Sequence, residues 1–510
     1  VAAAFALGSA EPAGSGLGGT TLIVLRLADG RVTAIDGSAT LPRLVDRERV
    51  RQLMENNAKS NEEATYGHEF VAVPATPAVL AYAAKKYGTR PLAELLGPAI
   101  EIAEQGVTVN AGSWAAIDRY LAIIRRSEHL RFWVLNRGEE PPVIGQQICN
   151  PELARTLRTI AERGADEFYR GTIARAIEVD MIRHGGFVRR VDLALLKIRE
   201  RQPLRGTYRG AEVLAFPPPG GGGMVIEALN ILENFPREVL QSDGSARAQV
   251  LAEAFHIALE DHLRDVSDAD EMAGPGSLLH LTKEFAAERA GLVRRGHALS
   301  SAEFPPAPLR DGFPGGTTHV AVADRWGNVV SLTQTLGRFY GAKVLTPDLG
   351  FPYNSLIEGC TLEGPDRTRP AARIPTELGP TIVTRNGEFL LALGASGSSK
   401  APSTVTLVIS NAIDRDMGLR EAIEAPRVLW GLRKGVGRLT IEVRPPITAS
   451  VPEDLRRRGY EDLILVQYPT TIGSLSPLGG VNAVQFDPAT RTFTGASDPR
   501  RGGFALGPRL

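Results

Sequence analysis

Patterns typical of helices and of strands fall into separate blocks along this chain instead of alternating. After two strand-like runs near residues 22–27 and 32–35, apolar residues at helical spacing dominate from about residue 43 to 200. Alternating apolar and polar residues, typical of strands, return mainly after residue 317. Such segregation favours an α+β arrangement of packed layers over a doubly wound parallel sheet, in which strands and helices would alternate.

The amino-acid composition argues against several classes of protein for this chain. The 510 residues carry 58 basic and 58 acidic side chains, and a nucleic-acid partner would usually require a basic excess. Two cysteines in unrelated surroundings exclude a disulfide scaffold and a CxxC pair. No apolar run reaches 18 residues, so no membrane span is predicted. The chain starts at Val1 without a charged leader, so we expect a missing N-terminal piece and leave open whether the compartment is cytoplasmic or periplasmic.

A Pro/Gly-rich stretch, residues 303–316, is predicted to be an extended linker, and it leads directly into Thr317 at the head of a predicted hairpin. Backbone freedom at Gly315 and Gly316 would let the Gly316 carbonyl face the Thr317 hydroxyl. Attack of that hydroxyl would form an ester, and water would complete the cleavage. The new α-amino group, with an ordinary pKa of about 7.7–8.0, could then serve as the base for its own hydroxyl. The same residues also suit an ordinary loop, so the motif alone leaves both interpretations open.

Motifs of one enzyme family are spread over the whole chain. They are residues 14–20, Asp36-Gly37 through Pro42, Lys86-Tyr87-Gly88, Phe168-Tyr169-Arg170-Gly171, Pro217-Pro218-Pro219 followed by Gly222-Gly223, Thr317-Thr318-His319 with Asp324 and Gly327-Asn328, Pro380-Thr381-Ile382-Val383, and Gly495-Ala496-Ser497-Asp498-Pro499-Arg500. On these motifs the chain resembles the gamma-glutamyltransferase (glutathione hydrolase) family of N-terminal nucleophile hydrolases. The resemblance implies a four-layer αββα sandwich that forms one structural domain.

The resemblance also implies how the chain is processed and used. Cleavage between Gly316 and Thr317 would give a large subunit, residues 1–316, and a small subunit, residues 317–510, which stay together as a heterodimer. Thr317 would be the nucleophile, and the hydroxyl of Thr335 would support it during processing and catalysis.

An oxyanion hole is implied at Gly397 and Ser398, where the family has a Gly-Gly pair. Their backbone N–H groups would hold the charge that develops on the substrate oxygen. Such donors contribute about 3–4 kcal/mol each at other acyl-transfer sites. Because Ser398 keeps its backbone N–H, this departure from the family pattern is mild.

The substrate pocket departs further from the family pattern. Ser38 occupies the position of an Arg that grips the α-carboxylate of a γ-glutamyl donor, and Thr376 and Glu377 replace a Ser-Ser pair that holds the same carboxylate. An acid at position 377 would repel such a group. The segment between Glu358 and Thr376 is about ten residues shorter than in common bacterial members, which predicts a more open site.

Further changes fall on residues expected to contact the substrate. Gly337 replaces an Asn and Ser355 replaces a Gln, whereas Glu358 keeps the final acid of its segment. Arg338 and Lys400 are candidates for a relocated anion contact, and the alternative is that both are solvated surface charges.

These features predict an amidohydrolase that cleaves a γ-glutamyl or related small-acid amide through an acyl-enzyme. Hydrolysis is favoured over transfer, because nothing in the sequence marks an acceptor site. Two alternatives stay open: an acylase for a non-glutamyl substrate, and an unprocessed relative that only binds a ligand, which Gly316 favours because many members have a polar residue there. No cofactor is expected. No metal is expected either, because His256 and His262 are six residues apart on a predicted helix, and His319 is assigned a structural role.

Overall fold

A computed structural model describes most of the chain. The described residues are 1–59, 65–136, 138–265, 275–306, 315–360, 369–433, 436–444, 450–467 and 478–507. Much of the predicted linker, residues 307–314, lies outside them, as does part of the shortened segment, residues 361–368.

The described residues contain helices in both halves of the chain. They are α1 (Ala2–Ala10), α2 (Arg47–Lys59), α3 (Thr76–Tyr87), α4 (Leu92–Gln105), α5 (Ala111–Arg119), α6 (Leu121–Arg126), α7 (Glu128–Val134), α8 (Pro151–Arg163), α9 (Asp166–Tyr169), α10 (Thr172–Arg183), α11 (Arg190–Leu195), α12 (Gly222–Glu233), α13 (Arg237–Gln241), α14 (Ser245–Asp265), α15 (Lys283–Val293), α16 (Ala401–Asp414), α17 (Leu419–Glu424) and α18 (Val451–Arg457). Within the described ranges no helix is long and apolar enough to cross a lipid bilayer.

The strands are likewise distributed over both halves. They are β1 (Thr20–Arg26), β2 (Val32–Gly37), β3 (Val107–Thr108), β4 (Gln147–Ile148), β5 (Arg199–Arg201), β6 (Leu204–Tyr208), β7 (Ala211–Ala215), β8 (Gly315–Ala323), β9 (Val329–Arg338), β10 (Thr381–Arg385), β11 (Glu388–Ser396), β12 (Val428–Arg433), β13 (Val436–Val443), β14 (Leu463–Gln467), β15 (Gly480–Asp487) and β16 (Thr492–Ser497). The predicted first hairpin (β1 and β2) and the hairpin after Thr317 (β8 and β9) are both confirmed.

Two antiparallel sheets face each other at the centre of the molecule. The first has the order β5-β2-β1-β9-β8, and the second has the order β16-β15-β11-β10-β7-β6. Successive side chains of a strand point to opposite faces. Along β1, Leu22 and Val24 therefore pack into the core between the sheets, whereas Ile23 and Leu25 pack against helices.

Helices cover the outer face of each sheet. Helices α3, α4, α8 and α10 share an apolar core with the first sheet, and α12, α14 and α16 share one with the second. The layer order is thus helix, sheet, sheet, helix, and the predicted αββα sandwich is confirmed. The small sheet β12-β13-β14, in which β14 runs parallel to β13, was not predicted.

A buried network of charges fixes the loops around the small sheet. Arg427 donates to Asp498, while Arg500 donates to Glu442 at 2.9 Å and to Asp498 at 3.2 Å. All four side chains are at most 1% exposed. Arg427 also donates to the carbonyl oxygen of Gly479 at 3.2 Å, so the network positions the chain segment that leads into β15.

We expect Asp498→Ala to destabilise the protein by about 3–5 kcal/mol, because it leaves two buried guanidinium groups without a shared acceptor. Asp29→Ala is the control, since it removes an ion pair with Arg31 in which both side chains are exposed. Urea denaturation of the two variants measures the difference. Equal losses would mean that the buried network stabilises the fold no more than a surface pair.

Candidate active site

The backbone changes register at the start of strand β8. Gly316 lies opposite Gly337 and Thr317 lies opposite Thr335, so Leu336 is an extra residue on the partner strand. Such a bulge bends the strand and re-aims the neighbouring side chains. The two glycines before Thr317 already belong to β8, and the prediction that they form part of the linker is therefore wrong: main-chain pairing with β9 orders them.

The hydroxyl of Thr335 lies between the two groups that self-cleavage would join. It donates to the carbonyl oxygen of Gly316, and its oxygen lies 2.8 Å from the hydroxyl oxygen of Thr317. The N–H of Gly337 donates to the same Thr335 oxygen at 2.9 Å. A threonine hydroxyl has one proton and two lone pairs. The Thr335 hydroxyl donates its only proton in the hydrogen bond to the Gly316 carbonyl. The bond between the two threonine hydroxyls is therefore donated by Thr317.

Position 316 has no room for a side chain. A Cβ atom there would lie 2.1 Å from the carbonyl oxygen of Arg338, well inside contact distance. This close backbone approach explains why glycine precedes Thr317.

The predicted oxyanion donors occupy a tight turn between β11 and α16. Gly397 and Ser398 both have positive φ angles, 137° and 59°, which places their backbone in a region that non-glycine residues rarely adopt. A Cβ atom on Gly397 would lie 2.8 Å from the Cα atom of Gly479. The buried Ser398 hydroxyl has no hydrogen-bond partner within the part of the chain that the structure describes. Strand β11 packs across from β8, so this turn ends the strand that faces the one carrying Thr317.

His319 fills the space between the sheets. Its Nδ1 atom lies 2.8 Å from the Thr333 hydroxyl, and its ring lies where a Cβ of Gly394 would be. Burial lowers the pKa of His319 to about 3, so the imidazole is neutral at ordinary pH. These contacts agree with the structural role predicted for it.

Arg338, whose backbone pairs with Gly315 of β8, forms a buried ion pair with Glu358. Arg338 Nε donates to Glu358 Oε2 at 2.8 Å and Nη2 donates to the other carboxylate oxygen. The Arg338 backbone N–H donates to the Ser355 hydroxyl at 3.3 Å. The surface-charge interpretation of Arg338 is wrong, because its side chain is only 10% exposed. Lys400 is partly buried and donates to a residue of the small sheet, Thr440, at 2.8 Å.

Two of the predicted carboxylate-binding positions, Ser38 and Thr376, carry neutral hydroxyls. The hydroxyls of Ser38 and Thr376 are buried and have no hydrogen-bond partner among the residues described. Their two segments run side by side, because the N–H of Ile374 donates to the carbonyl oxygen of Ala39 at 2.9 Å. Buried hydroxyls without partners are costly unless a ligand satisfies them.

Hydrogen bonds through Thr20 connect the Ser38 segment to the pair of hydroxyls on Thr317 and Thr335, called here the threonine pair. The Thr20 hydroxyl donates to Gly37 O at 2.6 Å and accepts from Ala39 N–H at 3.0 Å. Thr20 in turn lies opposite Thr335 in the sheet. The Ser38 segment is therefore linked through Thr20 to the strand that carries Thr335.

Asp36 supports this segment and was not singled out as a functional residue. It is fully buried, accepts from the Ser38 N–H at 2.9 Å, and pairs with Arg201 at 2.6 Å and Arg373 at 3.3 Å. In the sequence, its position as an acid at the end of an apolar strand is the feature that could have identified it. The packing of Gly479 on Gly397 had no sequence signal, because 82 residues separate them.

The carboxyl group of Glu377, the residue after Thr376, has a raised pKa. Burial and then the negative charge of Glu358 raise its pKa to about 7. The folded state therefore holds a proton that the unfolded chain releases at lower pH. The stabilisation from that proton is complete below about pH 4.5 and is lost as the pH rises through about 7.

We expect the free energy of unfolding of Glu377→Gln, measured relative to the wild type, to increase when the pH is raised from 5 to 8. The wild type loses the stabilising proton over this range, whereas the amide needs none. Urea denaturation at both pH values measures the change. Glu388→Gln, at an exposed end of β11, is the matched control and should show no such gain. A wild-type-like pH dependence in Glu377→Gln would contradict this assignment.

The chain is similar to characterised proteins over almost all of its length. The family model described as "Gamma-glutamyltranspeptidase" matches residues 1–507. The acylase ACY 1 proenzyme of Pseudomonas sp. (strain V22) is 34% identical over 505 residues, which cover 98% of this chain and 86% of that protein. The glutathione hydrolase proenzyme of Pseudomonas sp. (strain A14) is 31% identical over 534 residues, with 99% and 89% covered.

A solved structure agrees with the layer order described above. Cephalosporin acylase from Bacillus halodurans superposes with a TM-score of 0.82 at 27% identity, covering 98% of this chain and 89% of that one. The family match, the identities and this superposition all extend over the sheets that carry Thr317 and Thr335. The chain therefore belongs to the gamma-glutamyltranspeptidase family and is an enzyme that acts on amide bonds.

Proposed function

We propose that this chain cleaves itself after Gly316 and that the freed Thr317 is the nucleophile of an amidohydrolase. The observation that carries the proposal is the hydrogen-bonded set of the Thr317 hydroxyl, the Thr335 hydroxyl and the Gly316 carbonyl. Thr335 withdraws electron density from the carbonyl while holding the attacking oxygen. This arrangement favours the processed enzyme over an unprocessed ligand-binding relative.

Self-cleavage follows from these contacts. The Thr317 oxygen bonds to the carbonyl carbon of Gly316 as the C–N bond breaks, and the hydroxyl proton passes to the freed nitrogen. Water then hydrolyses the resulting ester. The products are a carboxylate on Gly316 and a Thr317 that has both a free amine and a free hydroxyl.

The two fragments remain one structural domain in this proposal. Strand β9 and all of β8 from Thr317 onward belong to residues 317–510 and complete a sheet with β1, β2 and β5 of residues 1–316, and β10 pairs with β7 in the second sheet. Because both sheets contain strands from both sides of the cut, separating the fragments would expose both apolar cores. The expected product is a stable heterodimer.

In the processed enzyme the chemistry is acyl transfer. The α-amine of Thr317 takes the proton of its own hydroxyl, which attacks the amide carbonyl of the substrate. The N–H groups of Gly397 and Ser398 receive the oxyanion. The amine product leaves with a proton, and water then resolves the acyl-enzyme.

We expect Thr317→Ala to give one full-length band on a denaturing gel and activity reduced by several orders of magnitude, because nucleophile and cleavage are lost together. Thr318→Ala is the matched control: its hydroxyl donates to Glu11 rather than to Thr335, so that variant should still yield two bands. Cleavage of Thr317→Ala, or a block in both variants, would refute the assignment of Thr317.

The donor is proposed to be an amide of a small acid. Names of relatives include both a glutathione hydrolase and an acylase, and a γ-glutamyl amide is the first candidate. One observation favours the second candidate, an acylase for a donor without a free carboxylate at this end. The guanidinium of Arg338 is already paired with Glu358, and Ser38 and Thr376 offer only neutral hydroxyls.

A matched pair of substrates separates the two candidates: γ-glutamyl-p-nitroanilide and the same compound with its α-carboxylate converted to a carboxamide. The neutral donor should have the higher kcat/KM, by about tenfold, because Ser38 and Thr376 offer it neutral hydroxyls and the Arg338 guanidinium is already paired with Glu358. Ser38→Arg should reverse the preference. A wild-type preference for the carboxylate would discard the second candidate while leaving the role of Thr317 intact.

A further inference from the structure

Two histidines and an aspartate meet away from the threonine site. His68 lies in a short 3-10 turn, Asp180 lies in α10, and His184 follows that helix. His68 Nε2 is 3.2 Å from one Asp180 carboxylate oxygen, and His184 Nδ1 is 2.9 Å from the other. One ligand atom from each residue lies within 4.8 Å of the others. Because 112 residues separate His68 from Asp180, only the fold brings the three together.

The carboxylate at the centre of this cluster is buried and oriented by its neighbours. The Thr346 hydroxyl donates to Asp180 at 2.8 Å and lies 2.7 Å from the Tyr353 hydroxyl. Hydrogen bonds of this kind hold metal-binding carboxylates in place in other proteins. Asp180 and His184 are four residues apart, which puts their side chains on one side of a helix.

We propose that His68, Asp180 and His184 bind one divalent transition-metal ion of the Zn²⁺ type. Two imidazole nitrogens and one carboxylate oxygen are the donor set that such ions prefer. Bonds of about 2.0 Å to a tetrahedral ion place neighbouring donors roughly 3.3 Å apart, close to the two separations observed here. The cluster leaves a fourth position for water, since the His184 side chain is 46% exposed.

The two rings need one adjustment to share an ion. They are stacked, with 4.6 Å between centroids and 18° between planes, so one ring must turn about its Cβ–Cγ bond to direct its lone pair at the ion. His184 has room for that turn. The nearby cation Arg49 is paired with Glu69 at 3.0 Å, so it does not oppose the ion with an unbalanced charge.

The proposed ion would have a structural effect. It would join the 3-10 turn and α10, and through Thr346 and Tyr353 it would also stabilise the connection that follows β9. That connection leads to Ser355 and Glu358 of the pocket. The site is independent of the assignment of Thr317, and its test does not use enzyme activity.

Chelator-treated full-length protein should be titrated with Co²⁺, which reports its coordination through visible absorption. We expect saturation at one equivalent and a higher Tm for the loaded protein. His184→Ala should weaken binding at least about tenfold and abolish the rise in Tm, while its metal-free Tm stays near that of the wild type, because this side chain is half exposed.

His297→Ala is the matched control. His297 also pairs with a carboxylate, Glu303 at 3.0 Å, but it is not part of the three-residue cluster, so this variant should bind Co²⁺ as the wild type does. A second variant, Thr346→Val, keeps all three ligands and should weaken binding less than His184→Ala. The proposal is overturned if the wild type shows no saturable binding, or if His184→Ala binds as tightly as His297→Ala.

Discussion

The single proton of the Thr335 hydroxyl organises the chemistry of this molecule. The Thr335 hydroxyl donates this proton in a hydrogen bond to the Gly316 carbonyl, and the Thr335 hydroxyl oxygen accepts hydrogen bonds from Gly337 and Thr317. With both lone pairs and the proton engaged, the hydroxyl has one orientation. In the proposed self-cleavage it would hold the Thr317 oxygen while polarising the Gly316 carbonyl. The bulge between Gly316 and Thr317 makes this geometry possible, because regular pairing would turn the Thr317 side chain elsewhere.

Strand order links this local geometry to the whole fold. Strand β9, which carries Thr335, lies between β8 and β1, so the reacting groups sit inside a sheet built from both proposed subunits. The facing sheet supplies the turn at Gly397 and Ser398, and the buried charge network around Arg427 fixes the segment that packs on that turn. The proposed self-cleavage would therefore break one backbone bond near the start of β8 and leave the strands of both sheets in place.

The residues predicted to contact the substrate are more widely separated in the sequence than the residues around Thr317. Ser38, Thr376, Arg338 and Glu358 come from separate parts of the chain, and the charges of Arg338 and Glu358 balance because the fold brings these two side chains together. From the sequence alone, Arg338 could be interpreted either as an anion contact or as a surface charge. The structure buries Arg338 against Glu358, so it is not a surface charge, and the carboxylate compensates its charge.

The sequence by itself determined the layers and the nucleophile candidate. Period-2 and helical patterns in separate blocks predicted an α+β arrangement of packed layers, and the resemblance to one enzyme family implied the αββα order. The run from Gly315 to His319 marked Thr317 as a candidate, because these residues adjoin one another in the chain. Tertiary structure alone decided the Arg338–Glu358 pair, the raised pKa of Glu377, the contact of Gly397 with Gly479 and the meeting of His68 with Asp180. Each of these couples residues that are distant in sequence or depends on burial, and side-chain periodicity carries no information about either.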